Sequence, residues 1–225
     1  MKISEILQDY KYLVKAQFKT INTQVPHEWR HKENPKADIV LIAGLYERWT
    51  FLKPLGEKLH QLGYRIHRVE AIRRNKQSIP SEADKLHAYL TKNQLEDVIV
   101  ISHSKGGLVA LYSMLEHYPT SKIIKLIAIA APFSGSNMGR LVRVASVKEL
   151  LPKSKLIKYL NNELSNKPLD VVSVFPNYDN HVWHQKGSIL DFAENIEISG
   201  AGHHKVLADE DLHKRIIKEV QEIYP

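Results

Sequence analysis

Asp97-Val98-Ile99-Val100-Ile101-Ser102-His103-Ser104-Lys105-Gly106-Gly107 is the stretch on which the reading of the whole chain turns. A short β-branched apolar run, as in a fully buried strand, stops at small residues. A second apolar run of helical length follows from Leu108 to Leu115. Ser104 stands at the corner, with Ser102 two residues before it and Gly106 two after. This is the small-x-Ser-x-small pattern of a nucleophile elbow, with Ser102 where glycine is usual. On so tight a strand-to-helix turn the serine hydroxyl projects above the sheet, and bulky flanking residues would clash. Gly106 and Gly107 let the helix begin close to the strand, with its N-terminal amides facing any anion formed at the serine. The same residues also fit a plain turn without chemistry. An acid, a base and oxyanion donors must therefore come from elsewhere.

Composition narrows the classes. A chain of 225 residues is compatible with one domain and a sizeable core, and residues 1–225 are expected to form a single unit. Cysteine is absent, which excludes disulfides, thiolate metal sites and a cysteine nucleophile, and fits a reducing compartment. The N-terminal residues carry scattered charges instead of an apolar signal core. The longest apolar runs, 39–46 and 126–133, fall far short of the roughly 18 residues of a spanning helix. A soluble cytoplasmic protein is the expectation. The formal charge is +7, with basic residues gathered at 65–76 and 140–158. A solvated face accounts for them; attraction to anionic substrates or a lipid surface is the alternative. No nucleic-acid signature accompanies them.

Taken in order, residues 3–20 place Ile3, Ile6, Leu7, Tyr10, Leu13, Val14 and Phe18 on one amphipathic helix face. Residues 22–37 read as a loop with a short edge strand. Residues 38–43 form a buried strand, followed by the Gly44–Thr50 loop and a helix stopped by Gly63. Residues 64–69 form the next strand. Ser81-Glu82-Ala83-Asp84 resembles a capping box and opens another helix. After the elbow and its helix come a strand at 123–130 and a helical, cap-like insertion at 134–169 with pieces near 138–144 and 156–160. Strands at 171–175 and 196–198 and a final helix complete the chain. Short apolar strands alternating with helices imply an α/β fold: a mostly parallel central sheet with helices on both faces. In such sheets the site lies beyond the carboxyl ends of the strands. The Gly44, Ser104, Asp179 and His203 loops all fall at that end.

A serine nucleophile needs a base to take its proton and an acid to orient the base. His203 follows a glycine-bearing turn after a strand, and His204 adjoins it; a turn aims only one of them at Ser104, and Gly202-His203 before apolar Val206 and Leu207 favours His203. His103 should point away from the hydroxyl and pack, while His181 and His184 could line the site. For the acid, Asp179 lies in a loop at the correct end of the sheet, Asp170 lies at the wrong end, and Asp191 is the runner-up. The backbone amides of Leu45 and Lys105 are the expected oxyanion donors, each worth roughly 3 kcal/mol in the transition state. Arg48 and Trp49 are candidates for the entrance. The histidines show no metal-ligand spacing, so no metal site is expected.

With these residues in place, the chain resembles the α/β-hydrolase superfamily, and bacterial lipase- and esterase-type members in particular. Residues 40–45 through Gly63 are similar to the family's oxyanion strand, loop and helix. Ser102 to Ala110 is similar to the lipase elbow. Ala131-Pro132-Phe133-Ser134-Gly135-Ser136 is similar to the lipase segment Thr-Pro-His-x-Gly-Ser, with Phe133 departing at the histidine. The resemblance implies a cofactor-free serine hydrolase acting on a small-molecule ester or an acyl lipid. Ser104, His203 and Asp179 would form its triad and Leu45 and Lys105 its oxyanion hole. A thioesterase or amide hydrolase on the same triad is the alternative, and a non-catalytic binding protein with the fold is a third.

Overall fold

A computed structural model gives the architecture, and it describes residues 3–18, 25–137, 144–164, 167–182 and 185–225. Six strands form one sheet: β1 (Asp38–Ile42), β2 (Arg65–Arg68), β3 (Val98–His103), β4 (Ile123–Ile129), β5 (Val171–Tyr178) and β6 (Glu194–Ala201). Their order is β2-β1-β3-β4-β5-β6, and every pairing is parallel. Successive side chains of a strand point to opposite faces. Val40, Ile42, Val98 and Val100 accordingly enter one core cluster, while Ile39, Leu41, Ile99 and Ile101 enter the other. Both faces of the central strands are thus covered, which is why these runs are apolar throughout rather than alternating.

The first face carries α4 (Ile79–Lys92), α5 (Lys105–Glu116) and α7 (Lys155–Leu164). The second carries α3 (Lys53–Gln61) and α8 (Glu210–Gln221). The chain runs from β1 to β2 on one side and then returns to β3 on the other. A crevice therefore opens at the carboxyl ends of β1 and β3, where parallel sheets bind ligands.

Several local expectations change. Residues 25–37 hold no strand; a short helix α2 (His27–Arg30) buries Trp29 instead. The cap of α4 is Ser78, whose hydroxyl accepts from the Ser81 amide at 3.4 Å, so the helix starts before the predicted box because Pro80 fits its first turn. Gly63 does end α3, at φ 111°. The described parts of the 134–169 insertion hold two α-helices. Its α7 packs Ile157, Leu160 and Leu164 into the core as the crossover between β4 and β5, and the short α6 (Ala145–Lys148) with Leu150 just after it reaches the crevice. The helix expected near 138–144 lies, apart from Val144, outside the described residues, as does His184.

The N-terminal helix α1 (Ile3–Phe18) differs most. Its Ile3, Leu7, Val14 and Phe18 are solvent-exposed, Ile3 and Phe18 at 78% and 79%. Its fully buried residue is Asp9, at 0% exposure.

Candidate active site

The site starts at the corner between β3 and α5. Ser104 has φ 51° and ψ −123°, a left-handed conformation that costs a non-glycine residue on the order of 1–3 kcal/mol. Its amide donates to the Ile129 carbonyl at 2.8 Å, and its own carbonyl accepts from Gly107 at 3.0 Å. The two glycines are required by close approach. A Cβ on Gly106 would stand 2.5 Å from the Ile42 carbonyl oxygen, and one on Gly107 would stand 2.6 Å from the Ala131 Cβ.

The candidate acid comes from β5, which continues to Tyr178 through its pairing with β6. Asp179 is therefore the first residue past the strand instead of the fourth. Its Oδ1 accepts from the amides of His181 and Val182 at 2.7 and 2.8 Å. Its Oδ2 accepts from His203 Nδ1 at 2.8 Å. Burial alone would raise its pKa; the adjacent His203 and the two amides outweigh this and hold it below the ordinary range. Asp191 is exposed in the turn before β6. Asp170 precedes β5 at the other end of the sheet, 3.7 Å from Lys125.

Of the two adjacent histidines, His203 is the one aimed at the serine. Its Nε2 lies 2.9 Å from Ser104 Oγ. Burial, joined by the neighbouring His103 and His204, lowers the His203 pKa against the pull of the Asp179 carboxylate, which favours the neutral imidazole that can accept a proton. His204 turns the other way, with Nδ1 3.1 Å from Asp9 and Nε2 3.4 Å from Glu47. His181 stacks on His203, ring centroids 4.5 Å apart. Burial, followed by the neighbouring His203 and His204, pushes its pKa down to about 3.

Lys105 heads α5, where first-turn amides lack intrahelical partners. Its side chain leaves the site and donates to the carbonyls of Asn75, at 3.0 Å, and Gln77. Leu45 lines the same cavity as Ser104. Arg48 and Trp49 do not; they border a separate arginine-rich cleft with Arg68, Arg73 and Arg74. The cavity at Ser104 measures about 430 Å³, and Leu13, Val14 and Phe18 of α1, Leu45, Val147 and Leu150 give it a mainly apolar wall.

His181, His203 and His204 bring ring nitrogens within 4.8 Å of one another, a grouping their sequence spacing conceals. Both nitrogens of His203 and both of His204 already face hydrogen-bond or ion-pair partners. The group is built as a hydrogen-bond network before it is a ligand set.

Four contributors to the site have roles that the sequence reading does not give. His103 does point away from the hydroxyl, yet it is not simple packing. Its Nδ1 donates to Glu47 Oε2 at 2.8 Å and its Nε2 donates to the His203 carbonyl at 2.9 Å. Burial would lower its pKa; the Glu47 carboxylate reverses this and raises it. Glu47 is itself buried and accepts from the Gly44 amide at 2.7 Å. Asn180 accepts from the His203 amide at 2.9 Å, and Asp9 bonds to Asn180 at 3.0 Å. The available signal was Asp9 itself, an acid in the stripe Ile6, Asp9, Leu13, Ala16 at helical spacing.

Residues 64–222 match a protein family described as the PGAP1-like alpha/beta domain. No match emerges among proteins of curated function. Among solved structures, the mature form of lipase BlEst2 from Bacillus licheniformis superposes with TM-score 0.70 at 15% identity, over 88% of this chain and 96% of that one. A monoacylglycerol lipase from Paleococcus ferrophilus gives 0.61 at 16%, over 82% and 94%. A CIB-like hydrolase from Thermoplasma acidophilum gives 0.62 at 14%, over 84% and 88%. At such identities the likeness is one of fold, that of the α/β hydrolases. Among the described residues, no helix is long and apolar enough to cross a membrane.

Proposed function

We propose that this chain, which belongs to the PGAP1-like alpha/beta domain family, is a serine hydrolase that cleaves carboxylic esters with an apolar acyl group. The observation that carries this is the hydrogen-bond chain Ser104–His203–Asp179, with links of 2.9 and 2.8 Å, at the wall of the apolar cavity. The lipases among the structural neighbours are consistent with it.

Ser104 Oγ attacks the ester carbonyl while neutral His203 takes its proton at Nε2. Asp179 accepts from Nδ1, holds the productive tautomer and stabilises the imidazolium as it forms. The carbonyl oxygen becomes an oxyanion held by the Leu45 and Lys105 amides, which act where charge develops. Collapse breaks the bond to the leaving alcohol, which receives the proton from His203. The acyl group remains on Ser104. Water then attacks this acyl-enzyme with His203 again as base, releasing the acid and restoring the serine. No cofactor enters any step.

The test is turnover of p-nitrophenyl esters of graded chain length together with labelling by a fluorophosphonate. Ser104→Ala is expected to lower kcat by more than about a thousandfold and to abolish labelling. A folded wild-type protein that neither turns over the series nor takes the label would overturn the proposal.

A further inference from the structure

The candidate base sits in a closed ring of buried side chains that the reaction itself does not use. The His203 amide donates to Asn180 Oδ1 at 2.9 Å, and Asn180 Nδ2 donates to Asp9 Oδ2 at 3.0 Å. On the other side, the His203 carbonyl accepts from His103, which donates to Glu47. Glu47 faces His204 at 3.4 Å, and His204 closes the ring onto Asp9 at 3.1 Å. Both main-chain polar groups of His203 are therefore fixed, and both paths meet at one carboxylate on α1.

Four donors converge on that carboxylate. Oδ1 accepts from the amides of His204 and Lys205, each at 2.7 Å. Oδ2 accepts from Asn180 and from His204 Nδ1. Only an ionised carboxyl group offers enough acceptor sites with no hydrogen of its own to oppose them. Burial resists the charge, but His204 and the two amides outweigh it and hold Asp9 far below the ordinary carboxylate range. The backbone has made room for the contact. Gly202 has φ 106°, and a Cβ there would come 2.7 Å from Asp9 Oδ1. The same helix lines the cavity with Leu13, Val14, Gln17 and Phe18.

We propose that Asp9 is a positioning residue for the catalytic base: its carboxylate clamps the 202–205 turn and Asn180, so that α1, a wall of the acyl pocket, sets the alignment of His203 on Ser104. This rests on the serine-hydrolase assignment above. Asp9 touches neither substrate nor the reacting atoms. It acts by fixing the backbone from which the imidazole hangs, and sub-ångström errors there degrade proton transfer.

Asp9→Asn keeps the size of the side chain but turns an NH2 toward two of the four donors. In this variant, kcat per fluorophosphonate-titrated site should fall tenfold or more well below the melting temperature, with KM changed less than threefold. The amides of His204 and Lys205 should lose hydrogen-exchange protection, and the strongly deshielded proton between His203 and Asp179 should broaden or vanish from the proton NMR spectrum. A purely structural Asp9 would lower the melting temperature and the titrated fraction, leaving kcat per site and the deshielded proton intact; that result overturns the proposal. If Asp9→Asn does not fold, Asn180→Ala removes the bridge from Asp9 to the His203 amide and leaves the His204 and Lys205 contacts of Asp9 in place, and a threefold to tenfold loss of kcat per site is expected; wild-type kcat there overturns the clamp. Wild-type protein without ester turnover or labelling would count against the hydrolase assignment instead, and the exchange and NMR measurements would still judge the clamp.

Discussion

A Cβ placed on Gly106 would lie 2.5 Å from the carbonyl oxygen of Ile42. The helix that begins at the serine is thus seated directly on the end of β1, backbone against backbone, with no flexible side chain between them to give way. Gly106→Ala must push α5 off β1. It should lower stability by about 1–3 kcal/mol and reduce turnover more than stability alone explains, because Ser104 and the Lys105 amide move together. Thermal melting and kcat measured on the same preparation check this. An alanine variant with unchanged kcat would mean that the elbow tolerates the shift.

Burial, together with the nearby His103 and His204, holds the His203 pKa below its ordinary value despite the Asp179 carboxylate. The acid limb of the kcat/KM profile for the free enzyme should therefore centre below 6.5, the ordinary histidine value, leaving activity near its plateau at pH 7. A limb centred at or above that value would show that the Asp179 charge outweighs burial.

Glu47 carries a depressed pKa, about 2 against its ordinary 4.5, because His103 and His204 and the Gly44 amide outweigh its burial. A depressed carboxyl pKa contributes stability that is fully present above the unfolded value and is lost as pH falls through the folded one. Its partner His103 is raised, so that contribution is full below 6.5 and fades as pH rises past the folded value. Glu47→Gln should accordingly cost most between about pH 4.5 and 6.5, on the order of 3–5 kcal/mol for a broken buried pair. The penalty should shrink toward pH 2. Denaturant melts of both proteins across this range provide the comparison, and a pH-independent difference would contradict the pairing.

If the cavity holds the acyl group as proposed, its wall should set chain length. Val147 is buried on α6 and faces the cavity. Val147→Phe fills part of the space, so kcat/KM for long-chain p-nitrophenyl esters should fall about tenfold relative to short ones, equivalent to roughly 1.4 kcal/mol. An equal effect on every chain length would place the acyl group elsewhere.

The central strands β1, β3 and β4 and the start of β5 were legible because they are short runs rich in β-branched residues, and the parallel sheet followed from the alternation of strands with helices. The placement of Ser104, Asp179 and His203 at one end of the sheet was legible for a related reason. Each sits just beyond a strand, so local sequence fixes its height above the sheet. His203 could be favoured over His204 but not separated from it, since only the partners do that: Ser104 for one, Asp9 and Glu47 for the other. The ring around His203 was not legible. Its members come from residues 9, 47, 103, 180 and 204, and nothing local links them. Helix α1 misled in a specific way. Its apolar residues occupy two stripes, and the one holding Ile3, Leu7, Val14 and Phe18 is solvent-exposed, with Val14 and Phe18 at the open side of the cavity. The other, with Ile6 and Leu13 of the predicted face, holds the buried Asp9, which apolar periodicity does not mark. The Met138–Val144 helix and His184 fall largely outside the described residues.

The contact between Asp9 and the His204 amide joins positions 195 residues apart. In a chain emerging from a ribosome at roughly 5–20 residues per second, α1 is made about 10–40 s before its docking turn exists. Throughout that interval its acid has no histidines to meet and its apolar residues have no pocket to line. Closing so distant a contact belongs late in folding. Hydrolysis should therefore be the last property to appear on refolding, lagging the return of helical circular dichroism, and its onset would time the moment at which the two ends of the molecule find each other.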